Sequence, residues 1–156
     1  DTMPFTELLD LQPLPITALK NPLFESLYKF KFFNPIQTQV FFSLYQTNKN
    51  ILIGAPTGSG KTIMINFYPE QLKDAPEKKT VYIAPLKALV KERIKDWQPR
   101  FKQIKKSVVE LSGDFTPDME TLKKADIIIT TPEKWDGITR SKEREYTQQV
   151  GLVIFD

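Results

Sequence analysis

The chain has 156 residues, 40% hydrophobic and 26% charged, which suits about one globular domain with a packed core and argues against disorder. Twenty-two Lys and Arg against nineteen Asp and Glu leave a formal charge of +3, which permits nucleic-acid binding without arguing for it. Cysteine and histidine are both absent, excluding disulfides, thiolate metal sites and imidazole acid–base chemistry; no apolar run approaches the ~20 residues that span a bilayer.

At the start Asp1, Glu7 and Asp10 interrupt the apolar residues and no signal peptide is visible, so an intracellular protein, nuclear or cytoplasmic and without a membrane partner, is expected. Residues 1–35 carry Pro4, Pro13, Pro15, Pro22 and Pro35, which predicts an extended lead-in with short turns rather than a long helix. Asn21-Pro22 marks a short helix start. A helix is predicted from Pro35 to Tyr45, with Ile36, Val40, Phe41 and Leu44 on one face. A strand follows at 50–54, then a helix from Lys61 that Pro69 should kink or stop near Tyr68. Asp74 to Lys79 reads as a solvated loop. Beyond it the pattern alternates: strand 80–84, helix 87–101, strand 107–111, helix 117–123, strand 126–130, helix 132–138 and strand 151–155. Five apolar strands separated by helices predict an α/β fold, a parallel sheet covered on both faces.

The stretch from Asn50 to Thr62 carries the strongest signal. An apolar run feeds Gly54-Ala55-Pro56-Thr57-Gly58-Ser59-Gly60-Lys61-Thr62, the strand, tight loop and helix start that a phosphate-binding P-loop requires. Gly58 and Gly60 let backbone N–H groups turn toward an anion, and the helix start adds its positive end. Lys61 can reach the β- and γ-phosphates of a nucleoside triphosphate, and the Thr62 hydroxyl can ligate Mg²⁺. Ala55 stands where the strict pattern has glycine. Asp156 closes the last strand, where an acidic residue in P-loop proteins holds the Mg²⁺ opposite Thr62.

Ligands of open parallel sheets sit beyond the carboxyl ends of the strands, so the residues there are the other candidates. Pro85, Leu86, Lys87 and Ala88, with Arg93 on the following helix, could hold a nucleic-acid phosphate; equally, Leu86, Leu89, Val90 and Ile94 could be core, and Lys91 and Arg93 a solvated face. Thr131, Pro132, Glu133 and Lys134 read as a capped helix start or a phosphate contact. Gly113 and Asp114 read first as a turn. Gln37 is either an adenine reader or a glutamine at a helix start. Trp97 and Trp135 read as packing residues.

Phe33-Asn34-Pro35-Ile36-Gln37, Ala55–Thr62, Ala84–Leu89, Ser112–Asp114, Thr131–Lys134 and Asp156 together resemble the first RecA-like lobe of the superfamily-two DExH-box helicases. Leu9–Pro15, Pro35–Gln39 and Thr131–Gly137 narrow the likeness to the large two-cassette type. Tyr82–Leu89, with Gly113-Asp114 and Thr116–Met119, favours the cointegrator-complex branch over the spliceosomal one, and the lead-in resembles the opening of the second cassette. The resemblance implies a lead-in at 1–33 packed on a RecA-like P-loop lobe at 34–156, cut at the acidic motif. It implies that Gln37 reads adenine, that Lys61, Thr62 and Asp156 serve the phosphates and Mg²⁺, and that Pro85–Leu89, Gly113 and Thr131–Lys134 grip a single strand, RNA favoured over DNA. Membership of a larger RNA- or DNA-processing complex is also implied.

Ile65-Asn66 stands where relatives usually have Ala-Glu, and Pro69 sits in a helix they keep unbroken. The resemblance would place the glutamate that positions the attacking water, a later histidine and the second lobe's arginine fingers after Asp156. A fragment is therefore expected to bind Mg-ATP weakly with little turnover. Two rival functions are a small-molecule kinase, for which no lid or acceptor pocket is legible after Thr62, and a nucleotide-gated scaffold that binds ATP without turnover.

Overall fold

The computed structural model describes residues 12–46, 52, 79–113, 116–140 and 150–155. The chain divides into two units, Asp1–Asp74 and Ala75–Asp156. The expected P-loop strand, loop 55–62, the Pro69 kink, Asp114 and Asp156 lie outside the described residues.

In the first unit the lead-in folds against one helix. Ile16–Leu19 forms a 3-10 turn, α1 spans Pro22–Glu25 and α2 spans Pro35–Gln46. Asn21 caps α1 by accepting from the Leu23 and Phe24 N–H groups at 3.0 and 3.4 Å, and Pro22 occupies a first-turn position where no donor is missed. Phe33 N–H donates to Leu14 O at 2.8 Å and Ile16 N–H to Lys31 O at 2.9 Å, closing the lead-in on itself. Leu14 N–H then donates to Thr38 Oγ1 on α2 at 3.2 Å, and Tyr45 OH to Leu19 O at 2.6 Å. Tyr28, Phe33, Phe41 and Tyr45 are buried in a chain of ring contacts with centroids 5.0 to 5.6 Å apart. Residues 12–33 and α2 thus share one core, with aromatic area doing most of the burial.

The second unit is an α/β sandwich. Strands β1 (Lys79–Ile83), β2 (Val108–Leu111), β3 (Ile127–Thr130) and β4 (Val150–Phe155) form a parallel sheet in the order β2-β3-β1-β4. Each described strand lies within a residue of its predicted bounds. Val109, Ile128, Val81 and Val153 stand in one register row. They face Met119 and Leu122 of α4 (Met119–Lys124) and Trp135 and Ile138 of α5 (Pro132–Arg140). Side chains alternate across a strand, so Tyr82 points to the other face, where Trp97 of α3 (Lys87–Lys102) meets it and Phe101 packs on Trp97 in turn. Helices therefore cover both faces. The fold is the expected RecA-like arrangement.

Three local expectations are corrected. Helix α4 begins at Met119, not Pro117, because Asp118 has extended dihedrals and its carboxylate accepts from Thr121 N–H at 2.7 Å. Helix α5 runs past Ile138 to Arg140, where Arg140 Nε meets Asp136 Oδ1 at 3.0 Å one turn back. Lys79 does not end a solvated loop. It starts β1 and is 4% exposed, and its ammonium donates to Lys123 O and, at 2.5 Å, to Ala125 O. Burial pushes its pKa below the ordinary lysine value, with the Asp126 charge opposing.

The Asp118 cap yields a test. The Thr121 N–H holds the exposed Asp118 carboxyl below its usual pKa. A depressed folded-state value means that the cap's contribution is present above the unfolded carboxylate pKa and is lost as pH falls through the folded one. The helical carbon chemical shifts of Met119–Lys124 should weaken as pH falls through that range. Asp118→Ala should weaken them at every pH and Asp118→Asn should restore them; shifts indifferent to both would remove the cap.

Candidate nucleic-acid interface

The register brings the last residues of β2, β3, β1 and β4 into one row, Leu111, Thr130, Ile83 and Phe155. The segments that follow form a common rim. Ala84 N–H donates to Thr130 O at 2.9 Å, tying the end of β1 to that of β3. Pro85, Leu86, Lys87 and Ala88 are exposed there, and Leu86 is 62% exposed. Of the two readings of Leu86, core is excluded: it is the extended residue before α3, ahead of the Val90, Ile94, Trp97 and Phe101 stripe that packs inward.

Lys87 opens α3 and lies over Gly113, the turn after β2. A Cβ at position 113 would stand 3.2 Å from Lys87 Nζ and 3.4 Å from Cε, so glycine permits the close approach. Ser112 is buried, its hydroxyl donating to Glu110 Oε1 at 3.0 Å, which anchors that turn. Thr131 is also buried. Its carbonyl accepts from Thr130 Oγ1 at 3.3 Å and from Trp135 N–H at 3.1 Å, the latter being the first bond of α5. Pro132 and Glu133 are exposed and Lys134 half-buried. Two helix starts, α3 and α5, thus open at the same rim, each presenting the positive end of its peptide dipoles.

Arg93 stands apart from that rim. Its guanidinium carbon lies 5.9 Å from the centre of the Trp97 ring, an NH1 nitrogen lies 3.6 Å from Asp96 Oδ2, and the side chain is 13% exposed. It packs instead of forming a solvated face.

In the first unit Gln37 is 3% exposed and forms a reciprocal capping box with Asn34. Asn34 N–H donates to Gln37 Oε1 at 3.0 Å and Gln37 N–H to Asn34 Oδ1 at 2.9 Å. Asn34 is the residue the sequence reading missed, although its Asn-x-x-Gln spacing carries the signal. Among the described residues no cluster of acidic side chains could hold a metal ion. Thr62 and Asp156, the expected Mg²⁺ ligands, lie outside them.

Comparison with known proteins decides the family. The DEAD/DEAH box helicase model matches residues 34–156. The chain belongs to the DEAD/DEAH box helicase family. Among its relatives, activating signal cointegrator 1 complex subunit 3 of Gallus gallus is 58% identical over 156 residues, and that of Homo sapiens 56%. The RQC trigger complex helicase SLH1 of Saccharomyces cerevisiae is 52% identical over 154 residues. These matches cover 97 to 98% of the chain but only 7 to 8% of the relatives. The branch preferred on motifs is therefore borne out. In fold, the chain resembles the helicase MrfA, solved bound to DNA and AMPPNP, with a TM-score of 0.77 at 17% identity, over 93% of this chain and 22% of that one. Its DEAD/DEAH box membership accords with the parallel sheet and the rim at the strand ends.

Proposed function

We propose that this chain is the ATP-binding lobe of an ATP-dependent helicase that tracks along single-stranded nucleic acid, RNA in preference to DNA. The observation that carries this is the convergence of Lys87, Gly113 and the two helix starts at one rim, in a chain that also contains a P-loop sequence. Exposed backbone N–H groups and lysine charges there suit phosphates, not base edges, so the grip is sequence-independent. Lys61 and Thr62 would hold the triphosphate and its Mg²⁺ with Asp156, and Gln37 would read the adenine. ATP binding and hydrolysis would supply the free energy that opens and closes the lobes on the strand. The cointegrator-complex and RQC-trigger names of its relatives support work inside a larger assembly.

The test uses Lys87→Ala and Lys134→Ala together. The double variant should bind oligouridylate, oligoadenylate and their DNA counterparts more weakly by a similar factor. The slope of log affinity against log salt should fall by about one to two, as each lysine releases roughly one counterion. A loss confined to one base sequence, or an unchanged slope, would overturn the proposed grip.

A further inference from the structure

The rim uses the ends of the strands; the other edge of the second unit, where strands begin, carries a groove that strand tracking does not require. It holds about 610 Å³ between the last turns of α3 and the start of β2 and is lined by Gln98, Pro99, Lys102, Lys105, Lys106, Ser107 and Val108. Three of those residues are cationic and none is acidic. Among the described residues neither Lys102, Lys105 nor Lys106 takes part in an ion pair. Three acids on the helices of this unit are engaged with partners one turn away: Asp96 with Arg93 and Arg100, Glu120 with Lys124, Asp136 with Arg140. Asp126, beside the groove, is also engaged, accepting from Ser107 N–H at 2.9 Å and Ser107 Oγ at 3.2 Å. The Ser107 hydroxyl also donates to Lys124 O at 3.4 Å, tying the start of β2 to the end of α4.

A helix C-terminus accounts for Lys102 and Arg100, which complement the dipole of α3. It does not account for Lys105 and Lys106, which lie beyond the helix. Lys105 has φ 60°, a left-handed conformation where glycine is the easier choice. The groove wall is fixed: Gln98 Nε2 donates to Val108 O at 3.1 Å, and Lys106 N–H to Phe101 O at 3.0 Å. Three like charges on a fixed wall repel one another and are relieved by an anionic occupant.

We propose that this groove docks an acidic segment of a partner polypeptide. A strand held at the phosphate-gripping rim does not fill it, because it stands at the far end of α3 from that rim, about 24 Å away at 1.5 Å per residue. Lysine ammonium groups, as separate point charges, suit successive Asp or Glu side chains. Contacts of this kind steer association and select partners by charge.

The probes are a labelled oligoglutamate peptide and an oligouridylate of equal length, titrated into the chain by fluorescence anisotropy. Lys102→Gln, Lys105→Asn and Lys106→Gln are combined, asparagine being chosen because it tolerates the left-handed conformation. The triple variant should weaken oligoglutamate by about tenfold and leave oligouridylate within about twofold, since exposed charges act additively and modestly. Lys87→Ala should do the reverse. In the unsubstituted chain, carbodiimide coupling of oligoglutamate carboxylates to lysine amines should map to Lys102, Lys105 and Lys106, a readout that does not depend on the triple variant folding. Oligoglutamate that fails to bind, binds the folded triple variant equally well or couples elsewhere would overturn the proposal. So would an oligouridylate loss as large as the peptide's in the triple variant, which would make the groove a nucleic-acid surface. Failure of Lys87→Ala to weaken oligouridylate would instead count against the helicase reading and leave the groove standing.

Discussion

Replacing Trp97 with alanine is expected to destabilise the second unit by about 3–5 kcal/mol, the range for deleting a large buried aromatic side chain. Trp97 is 1% exposed and meets Tyr82 and Phe101 at centroid distances of 5.2 and 5.6 Å, both edge-to-face. Losing it opens a void between α3 and the sheet, and Arg93 loses the ring beneath its guanidinium, leaving a largely buried charge above that void. Domains of this size have about 5–15 kcal/mol in total, so the variant should sit near its unfolding midpoint at modest urea. Trp97→Phe, which keeps most of the apolar body, should recover most of the loss. Urea melts giving less than about 1 kcal/mol for the alanine variant would mean that α3 is not held through this residue.

Lys61→Ala is expected to weaken Mg-ATP binding by about tenfold or more, since a charge-assisted contact to phosphate is worth about 1.5–3 kcal/mol. Lys61 is the one lysine of the glycine-rich turn and is followed by the hydroxyl that the metal needs. Circular dichroism should be unchanged, which separates lost binding from lost folding. Titration calorimetry showing unaltered affinity would remove the phosphate site from this loop, and with it the central element of the proposed function. The groove at Lys102, Lys105 and Lys106 would be untouched by that result, because its chemistry is independent of the nucleotide.

The elements were legible because their causes are local. Short apolar runs rich in Val and Ile announced the strands, and Pro132 after Thr131 announced the start of α5. The misses have local causes too. Asp118, one residue inside the expected start at Pro117, is the cap instead because its carboxylate satisfies an orphan N–H. The capping box of Asn34 and Gln37 was overlooked because Gln37 was read for what its amide could offer adenine.

What the sequence by itself determined is the alternation of strands and helices, the P-loop and the set of strand-end residues, since turn chemistry and side-chain period act over a few neighbours. Only the tertiary structure decided which of those residues meet. Strand order β2-β3-β1-β4 is a matter of long-range pairing, and it alone puts Lys87, after β1, over Gly113, after β2. It also sorted the cations. Lys79 is buried because the end of α4 supplies carbonyls for its amine, and Arg93 lies on Trp97 because α3 turns that face to the sheet. Lys102, Lys105 and Lys106 surround a groove because β2 returns alongside the end of α3. In sequence all of these are charges among other charges. Burial and partners, which give each its chemistry, depend on what packs against it.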